Sequence, residues 1–315
     1  MGETSKTIGE LGEEFQNQFL ELVRWEFVKG AFDIEYETDI LKTSGGKAKK
    51  THGIDGVCKY EDPYVNREIY VIVSTKSIAW KKTNTSEERK TVGAIAKKIQ
   101  EWTDELNSKV AIARRASDFK SKIGVDEGAV FDVVGLLFYF VHDELFKDEV
   151  YREVLEKSAV TRSDLVETVY VLSNREITRA NTVINHLHSK RKISSDSIEY
   201  NYPSTDLFPS KKYWCDYLTL PHYFSMFWYM RISNESYVAY FGDLDQQSID
   251  YFMASLAHFQ VFRETKVSIL IYKKQSLNDA DIKSMFHNRE VEFGEVLSTL
   301  EVSELSPGEL RLPLR

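Results

Sequence analysis

The order of predicted helices and strands constrains the fold of this chain more than any other sequence feature. Apolar residues at spacings of three and four predict a helix over about residues 11–27, with Gly30 as its stop. Alternating or continuously apolar stretches predict the strands that follow. The remaining predicted elements of this half are strands at residues 32–41, 53–60 and 68–77, a helical stretch from 91 toward 119, and a buried strand at 131–141. The order α-β-β-β-α-β indicates an α/β protein.

The second half of the chain continues the alternation of strands and helices. Its predicted strands cover residues 166–172, 237–241 and 267–272, and its predicted helices cover 175–189, 246–259 and 279–286. A loop over 194–223 separates the first of these pairs from the others, and the tail after residue 303 is predicted to be irregular. We therefore predict two domains, 1–145 and 146–315, with one continuous extended sheet as the alternative.

The termini and cysteines indicate a cytoplasmic protein. The chain start lacks a basic segment followed by an apolar one, so it is not a secretory signal. The longest apolar run is about half the length that a membrane-spanning helix needs, and no membrane partner is expected. Cys58 and Cys215 lie far apart and outside any metal-ligand spacing, which predicts free thiols in a reducing compartment.

Charge is distributed unevenly along the chain. The whole sequence carries a formal net charge of −8. Residues 42–122 contain 18 Lys or Arg and 10 Asp or Glu, a local net charge of +8, which leaves −16 for the remainder. Such a segment favours an anionic partner, because phosphate backbones are bound mainly by cationic side chains. The predicted phosphate contacts are Lys47, Lys49, Lys50, Lys81, Lys82, Lys97 and Lys98.

Two residues of this basic segment carry the most chemical information. Asp55 lies between two glycines in a predicted strand, and Lys76 ends the strongly apolar strand that follows. If the two strands are neighbours, the carboxylate and the ammonium emerge side by side. An aspartate that binds Mg²⁺ and a lysine that orients or deprotonates water together suit phosphodiester hydrolysis. An acidic residue on the preceding helix is suited to complete the metal shell, since Mg²⁺ prefers oxygen ligands.

These features resemble the PD-(D/E)xK nuclease superfamily, which has the restriction-endonuclease-like fold. The resemblance covers about residues 7–142 and rests on the element order, the helix that opens GELGEEF, the GIDGV strand and the strand that ends STKS. It implies an αβββαβ core followed by a C-terminal α/β extension or second domain. It also implies that Asp55 binds metal, that Lys76 is the catalytic lysine, and that Glu13, with Glu10 as second choice, is the acid on the first helix.

Ser74 departs from the family pattern. It occupies the place, two residues before the lysine, where the family usually has Glu or Asp. A serine offers its hydroxyl or leaves its backbone carbonyl as ligand, and the carbonyl of Thr75 would line the same site. An acid on the next helix, Glu101 or Glu105, is the candidate that would compensate.

The resemblance implies a nuclease that uses Mg²⁺ or Mn²⁺ to cleave DNA, in prokaryotic defence against foreign DNA. RNA is the alternative substrate. A homodimer, or a complex with a second protein subunit, is expected for the acidic second half. The competing hypothesis is a nuclease-fold module without catalytic activity, which binds nucleic acid or a partner protein within a larger complex.

Other candidate sites have simpler interpretations. His52 is predicted to be a polar loop residue that is available to a phosphate or a water molecule. His186 and His188 are two residues apart on a predicted helix, so they do not share a face. The aromatic run around His222 suits stacking of single-stranded bases, but a core or subunit interface is the favoured explanation. The sequence contains neither a P-loop frame nor a Gly-x-Ser-x-Gly frame.

Overall fold

The computed structural model describes residues 16–17, 19–42, 48–64, 67–79, 85–126, 128–142, 167–191, 197–202, 213–233, 235–258, 267–272, 284–285 and 301–305. Within these ranges the chain forms two compact units. The first unit contains the described residues up to Ile177 except Leu22–Arg24, and the second contains Leu22–Arg24 and the described residues from Thr178 onward. None of the described helices is long and apolar enough to cross a membrane.

The first unit contains two sheets and three helices that are described at least in part. The first helix, α1, is helical at residues 16–17 and 19–23, so it extends into the second unit. The other elements are β1 Glu26–Lys29, β2 Phe32–Lys42, β3 Ala48–Ile54, β4 Gly56–Asp62, β5 Arg67–Ala79, α2 Thr85–Arg115, α3 Ser117–Ile123, β6 Phe131–His142 and β7 Val169–Ser173.

The main sheet of the first unit has the strand order β1-β4-β5-β6-β7. Strands β4 and β5 form an antiparallel hairpin, and β1 pairs antiparallel with β4 at the edge. Strands β5, β6 and β7 run parallel, with α2 and α3 connecting β5 to β6. Strands β2 and β3 form a separate antiparallel ribbon. The mixed α/β architecture agrees with the restriction-endonuclease-like fold expected from the sequence.

The residues of β5 alternate between two packed faces of this sheet. Tyr70 and Ile72 lie in one hydrophobic core with Leu106 of α2 and Leu137 of β6. On the opposite face, Phe138 of β6 contacts Phe19 of α1, with 5.0 Å between ring centroids. Even-numbered residues of β5 therefore face α2, and odd-numbered residues face α1.

Helix α2 packs closely against β6 at Gly135. A Cβ atom at this position would lie 2.9 Å from Cγ of Leu106 and 3.1 Å from a methyl carbon of Val169. Only a residue without a side chain lets the helix approach this strand so closely. The contact places the preceding turn of α2 above the carboxyl-terminal half of β6, where Trp102 and Tyr139 have ring centroids 6.3 Å apart.

The second unit has one described sheet with the order β13-β12-β11-β10-β8-β9. Strands β10 and β11 form an antiparallel hairpin, and β11, β12 and β13 run parallel. The elements are α4 Asn174–Arg191, which begins in the first unit, β8 Ile198–Tyr202, β9 Tyr213–Cys215, α5 Leu220–Tyr223, β10 Phe227–Ile232, β11 Glu235–Tyr240, α6 Gln246–His258, β12 Val267–Tyr272 and β13 Glu301–Leu305.

The core of the second unit is rich in aromatic residues. Trp228, Tyr229 and Tyr240 are buried, and the ring of Phe252 of α6 packs at a tilt against that of Tyr240 with 4.4 Å between centroids. The aromatic run around His222, predicted to form core or a subunit interface, is largely internal to this unit, although Phe224 is 36% exposed.

Several predicted boundaries were wrong. The first helix ends before Gly30, because Arg24 takes a left-handed conformation (φ 56°) and Phe27 belongs to β1. Residues 48–50, predicted as part of a turn, begin β3 because that strand pairs with β2. The predicted loop over 194–223 contains β8 and β9, and β13 extends through residues 303–305. Of the helix predicted at 279–286, only 284–285 lie within the described residues, and both are helical.

Candidate active site

Asp55 is an exposed residue at the junction of two sheets. It lies between β3 and β4 and belongs to neither. Ile54, before it, pairs with Phe32 of the ribbon, and Gly56, after it, pairs with Val73 of the main sheet. The predicted single strand over 53–60 is therefore two strands, because the chain passes from one sheet to the other at Asp55.

Ser74 holds the Asp55 carboxylate. Its Oγ donates a hydrogen bond to Oδ2 of Asp55 at 2.9 Å. The register of the β4–β5 hairpin places the two residues opposite each other, so their side chains lie on the same face of the sheet. Ser74 is only 4% exposed, whereas Asp55 is in contact with solvent. One carboxylate oxygen is thus fixed by a buried donor.

Lys76 lies two residues beyond Ser74 on β5, so it shares the face of Asp55 and Ser74. The side chain is half-buried. Across the parallel pair β5–β6, Lys76 is in register with Tyr139. Within the described part of the chain, no hydrogen bond or ion pair of the Lys76 ammonium is found. The structure therefore places Asp55, Ser74 and Lys76 on one face of the sheet, with Ser74 and Lys76 inside β5 and Asp55 just before β4.

Thr75 points its side chain to the opposite face. Its Oγ1 donates to Oε1 of Gln16 on α1, at 2.5 Å. The sequence analysis did not select Gln16. The available signal was its position three residues after Glu13, one helical turn along the predicted helix. Glu13 itself lies outside the described residues, and the use of the Thr75 carbonyl as a ligand stays a prediction.

The acids proposed as compensation on α2 are both engaged with lysines of the same helix. Glu101 lies 3.9 Å from the Lys97 ammonium, and Glu105 lies 2.9 Å from the Lys109 ammonium. Among the residues that the structure describes, no group of three or more His, Cys, Asp or Glu could hold a metal ion. The donor set seen here is one exposed carboxylate with an adjacent hydroxyl. It fits Mg²⁺, which binds through one or two carboxylates and keeps several waters.

Part of the local positive charge is compensated within the first unit. Lys59 pairs with Glu68 at 2.8 Å, and the hydrogen bond between them raises the pKa of the lysine and lowers that of the glutamate. Lys122 pairs with Asp118 at 2.8 Å. Of the lysines proposed to contact phosphate, three have described side chains, and all three are exposed: Lys50, Lys97 and Lys98. The side chains of the others, Lys47, Lys49, Lys81 and Lys82, lie outside the described residues.

Two of the candidate side chains named from the sequence, His52 and Cys58, are buried. His52 was predicted in a loop, but it lies buried in β3, where it faces Ile34 and its Nε2 is 2.9 Å from the carbonyl of Tyr36. Burial raises the pKa of the Cys58 thiol to about 12, and both cysteines are free, as predicted. A thiol with that pKa is a poor nucleophile at neutral pH.

The mixed α/β fold of the first unit is consistent with the PD-(D/E)xK class of nuclease domains. A family model described as the GAPS4 protein PD-(D/E)XK nuclease domain matches residues 1–176, more than half of the chain. The chain therefore belongs to this family, and the resemblance expected from the sequence is confirmed. Searches of curated proteins and of solved structures found no match to the chain.

Proposed function

We propose that this protein is a metal-dependent nuclease that hydrolyses DNA phosphodiester bonds. The observation that carries the proposal is the common face of Asp55, Ser74 and Lys76, with the 2.9 Å hydrogen bond between Ser74 and Asp55. A carboxylate for metal and a lysine for water are the two groups that metal-assisted phosphodiester hydrolysis needs. Membership of the nuclease family supports the same reaction class.

Asp55 would hold Mg²⁺ or Mn²⁺ together with Glu13, and Ser74 and the Thr75 carbonyl would line the site. When bound, such an ion lowers the pKa of a water molecule and neutralises charge on the phosphate. The Ser74 hydroxyl donates a hydrogen bond to Oδ2 of Asp55, so Oδ1 is available to bind the metal ion. Ser74 thus orients the carboxylate without adding negative charge.

Lys76 would supply the positive charge on this face. As an ammonium it attracts the scissile phosphate and orients a water molecule by donating a hydrogen bond to it. Because the side chain is half-buried, this charge acts in a medium less polarisable than water, and its effect on a bound phosphate is stronger than at an exposed position.

The proposal of a DNA substrate is based on the exposed lysines, and the proposal of a biological role is based on the family resemblance. The exposed Lys50, Lys97 and Lys98 would contact the phosphate backbone, together with Lys47, Lys49, Lys81 and Lys82. A role in prokaryotic defence against foreign DNA follows from the resemblance to restriction-like nucleases. The second unit would bind a second protein subunit or a second copy of the chain.

The test is cleavage of plasmid DNA with Mg²⁺ or Mn²⁺ by the full chain and by Lys76→Met, with Lys59→Met as the matched control. Lys59 is also a half-buried lysine of the β4–β5 hairpin, but it lies in register with Tyr70, distant from Asp55. We expect Lys76→Met to lose roughly 10²-fold or more in cleavage rate and Lys59→Met to keep the wild-type rate. Cleavage that survives Lys76→Met would contradict the proposed site.

The second candidate function is a binding module without catalysis. The uncharged Ser74 at the usual acidic position favours it, as does the lack of a three-acid group among the described residues. This hypothesis predicts no cleavage with any metal, but salt-dependent DNA binding that charge reversal of Lys98 weakens. A mobility shift without cleavage by the same samples supports the binding module, whereas cleavage with either metal supports the nuclease.

A further inference from the structure

The hydrogen bond between Thr75 and Gln16 lies at the same level of β5 as the candidate site, but on the other face of the sheet. Thr75 follows Ser74 and precedes Lys76, and its Oγ1 donates to Oε1 of Gln16 at 2.5 Å. This distance is at the short end of the range for hydroxyl donors. Both residues are half-buried, so the bond is partly shielded from water.

A second contact fixes helix α1 at the same place. Phe19 lies three residues after Gln16, on the same side of the helix. Its ring packs edge-on against Phe138 of β6 with 5.0 Å between centroids, and Phe138 is the register partner of Thr75. Both phenylalanines are buried. One turn of α1 therefore contacts two adjacent positions of the β5–β6 pair, one through a hydrogen bond and one through aromatic packing.

The part of β5 that carries the site residues is paired on one side only. The ladder to β4 ends at the pair Gly56–Val73, because the chain passes from the main sheet to the ribbon at Asp55. Within the described ranges, residues 74–79 of β5 pair with β6 alone. A strand segment with partners on one side has fewer backbone hydrogen bonds and opens more readily than a central one. The bond to α1 is an attachment where the ladder to β4 is missing.

Resting on the proposed function, we propose that Gln16 is a positioning residue for Ser74 and Lys76. By holding Thr75 on the α1 face, it fixes the rotation of β5 about its own axis at this point. The side chains before and after Thr75 lie on the opposite face, and their directions follow from that rotation. Ser74 then stays within hydrogen-bond distance of Asp55, and Lys76 stays on the face that carries both.

The experiment measures DNA cleavage by the full chain with Gln16→Met, Gln16→Glu or Thr75→Val, and with Asn17→Met as the matched control. Methionine has the length of glutamine without its amide oxygen, whereas glutamate keeps an acceptor oxygen. Asn17 is the next residue of α1 and is exposed.

We expect kcat to fall about tenfold in Gln16→Met and in Thr75→Val, near the upper limit for one neutral hydrogen bond. Gln16→Glu and Asn17→Met should keep nearly the wild-type kcat. KM for DNA should stay within about twofold throughout, because the substrate contacts neither of the two bonded groups. An unchanged kcat in Gln16→Met, or a failure of Gln16→Glu to preserve it, would overturn the proposal.

The double variant, Gln16→Met combined with Thr75→Val, tests whether the two residues act through their common bond. Each single change removes the same bond, so the double variant should be no slower than either single variant. Losses that multiply would show that the two side chains act separately, and they would contradict the role proposed for Gln16.

A further measurement needs neither metal nor cleavage. Backbone hydrogen exchange, read at single residues by NMR, compares residues 74–77 of β5 with residues 69–73, which pair with both β4 and β6. In Gln16→Met we expect exchange at 74–77 to become about fivefold faster or more, and exchange at 69–73 to stay unchanged. Equal exchange at 74–77 in the two proteins would overturn the proposal. If exchange differs as expected but the wild type cleaves DNA with neither Mg²⁺ nor Mn²⁺, the proposed function is refuted, whereas the role of Gln16 in fixing β5 is confirmed.

Discussion

The two units build their sheets on the same plan but place their polar groups differently. In each unit, an antiparallel hairpin, β4–β5 or β10–β11, leads into two further strands parallel to its second strand. In the first unit, Ser74 and Lys76 lie within that second strand. In the second unit, Asp243 and Asp245 follow the strand instead. The strand arrangement alone therefore does not determine where a functional site lies; the side chains carried by the strands determine it.

The buried tyrosines show the same difference. In the second unit, the Tyr202 hydroxyl donates to the carbonyl of Tyr217 and accepts from the amide of Thr219, and the Tyr240 hydroxyl donates to the carbonyl of Asp243. In the first unit, the Tyr139 hydroxyl has no such bond among the described residues. The second unit uses buried hydroxyls for stability, whereas the first leaves one unsatisfied beside its candidate catalytic lysine.

The largest expected effect is a loss of cleavage rate that occurs with a substitution in the first unit and not with one in the second. Asp55→Asn should lower the rate of metal-dependent DNA cleavage about 10³-fold, equivalent to roughly 4 kcal/mol, because it removes the metal-binding charge. Asp243→Asn changes an exposed aspartate next to a hairpin strand of the second unit and should leave the rate unchanged. A loss with Asp243→Asn and none with Asp55→Asn would assign the chemistry to the second unit.

The next effect concerns packing in the two sheets. A Cβ atom at Gly242 would lie 2.3 Å from the Tyr240 hydroxyl oxygen, on a ring that is fixed in the core. Gly242→Ala should therefore destabilise the protein by about 3 kcal/mol, and Gly135→Ala, which crowds the side chain of Leu106, by about 1–2 kcal/mol. Urea unfolding checks both values, with Gly128→Ala, which meets no atom within 4 Å, as control. Equal stability of all three variants would show that neither contact is tight.

A smaller effect tests the uncharged position of the candidate site. Ser74→Asp adds a carboxylate beside Asp55 and should strengthen Mn²⁺ binding about tenfold at pH 8, whereas Ser74→Ala should weaken it by a similar factor. Each change corresponds to about 1.4 kcal/mol. Mn²⁺ electron paramagnetic resonance measures the affinity without DNA. Identical affinities in the three proteins would exclude Ser74 from the metal shell.

The smallest expected effect is a loss of stability of the second unit at acidic pH. Burial lowers the pKa of His222 from 6.5 to about 4, and its ring lies 4.8 Å from that of Tyr202. Between these pH values the unfolded chain binds the proton and the folded unit does not, so stability falls as pH decreases through this window. The loss at pH 5.5 should be roughly 1 kcal/mol, seen as faster hydrogen exchange in β10 and β11. His222→Gln should remove this loss, and the exposed His258→Gln should retain it.

Local patterns predicted much of the first unit, because apolar alternation and continuous apolar runs depend only on neighbouring residues. The strands predicted at 68–77 and 131–141 were therefore found to within a few residues, as β5 and β6. Asp55 and Lys76 were selected from residue type and position alone, and the structure places them on one face. Their roles stay predictions.

What the sequence did not reveal depends on contacts between distant residues. The early end of the first helix follows from the left-handed conformation of Arg24, for which the chain gives no glycine signal. The bond from Thr75 to Gln16 and the pairing of Lys76 with Tyr139 depend on which strand or helix lies alongside β5. Pairing registers of this kind are not encoded in any local pattern.

The position of Asp55 between two sheets restricts the direction in which its side chain points. A slip of one residue in either pairing would turn the carboxylate to the wrong face. Here two ladders end on the two residues that flank Asp55, one at Ile54 and the other at Gly56. Because β3 and β4 are joined through Asp55, a register shift in one ladder is opposed by the pairing of the other. Asp55 belongs to neither strand, yet its direction is determined by the ladders on both sides of it and by the hydrogen bond from Ser74.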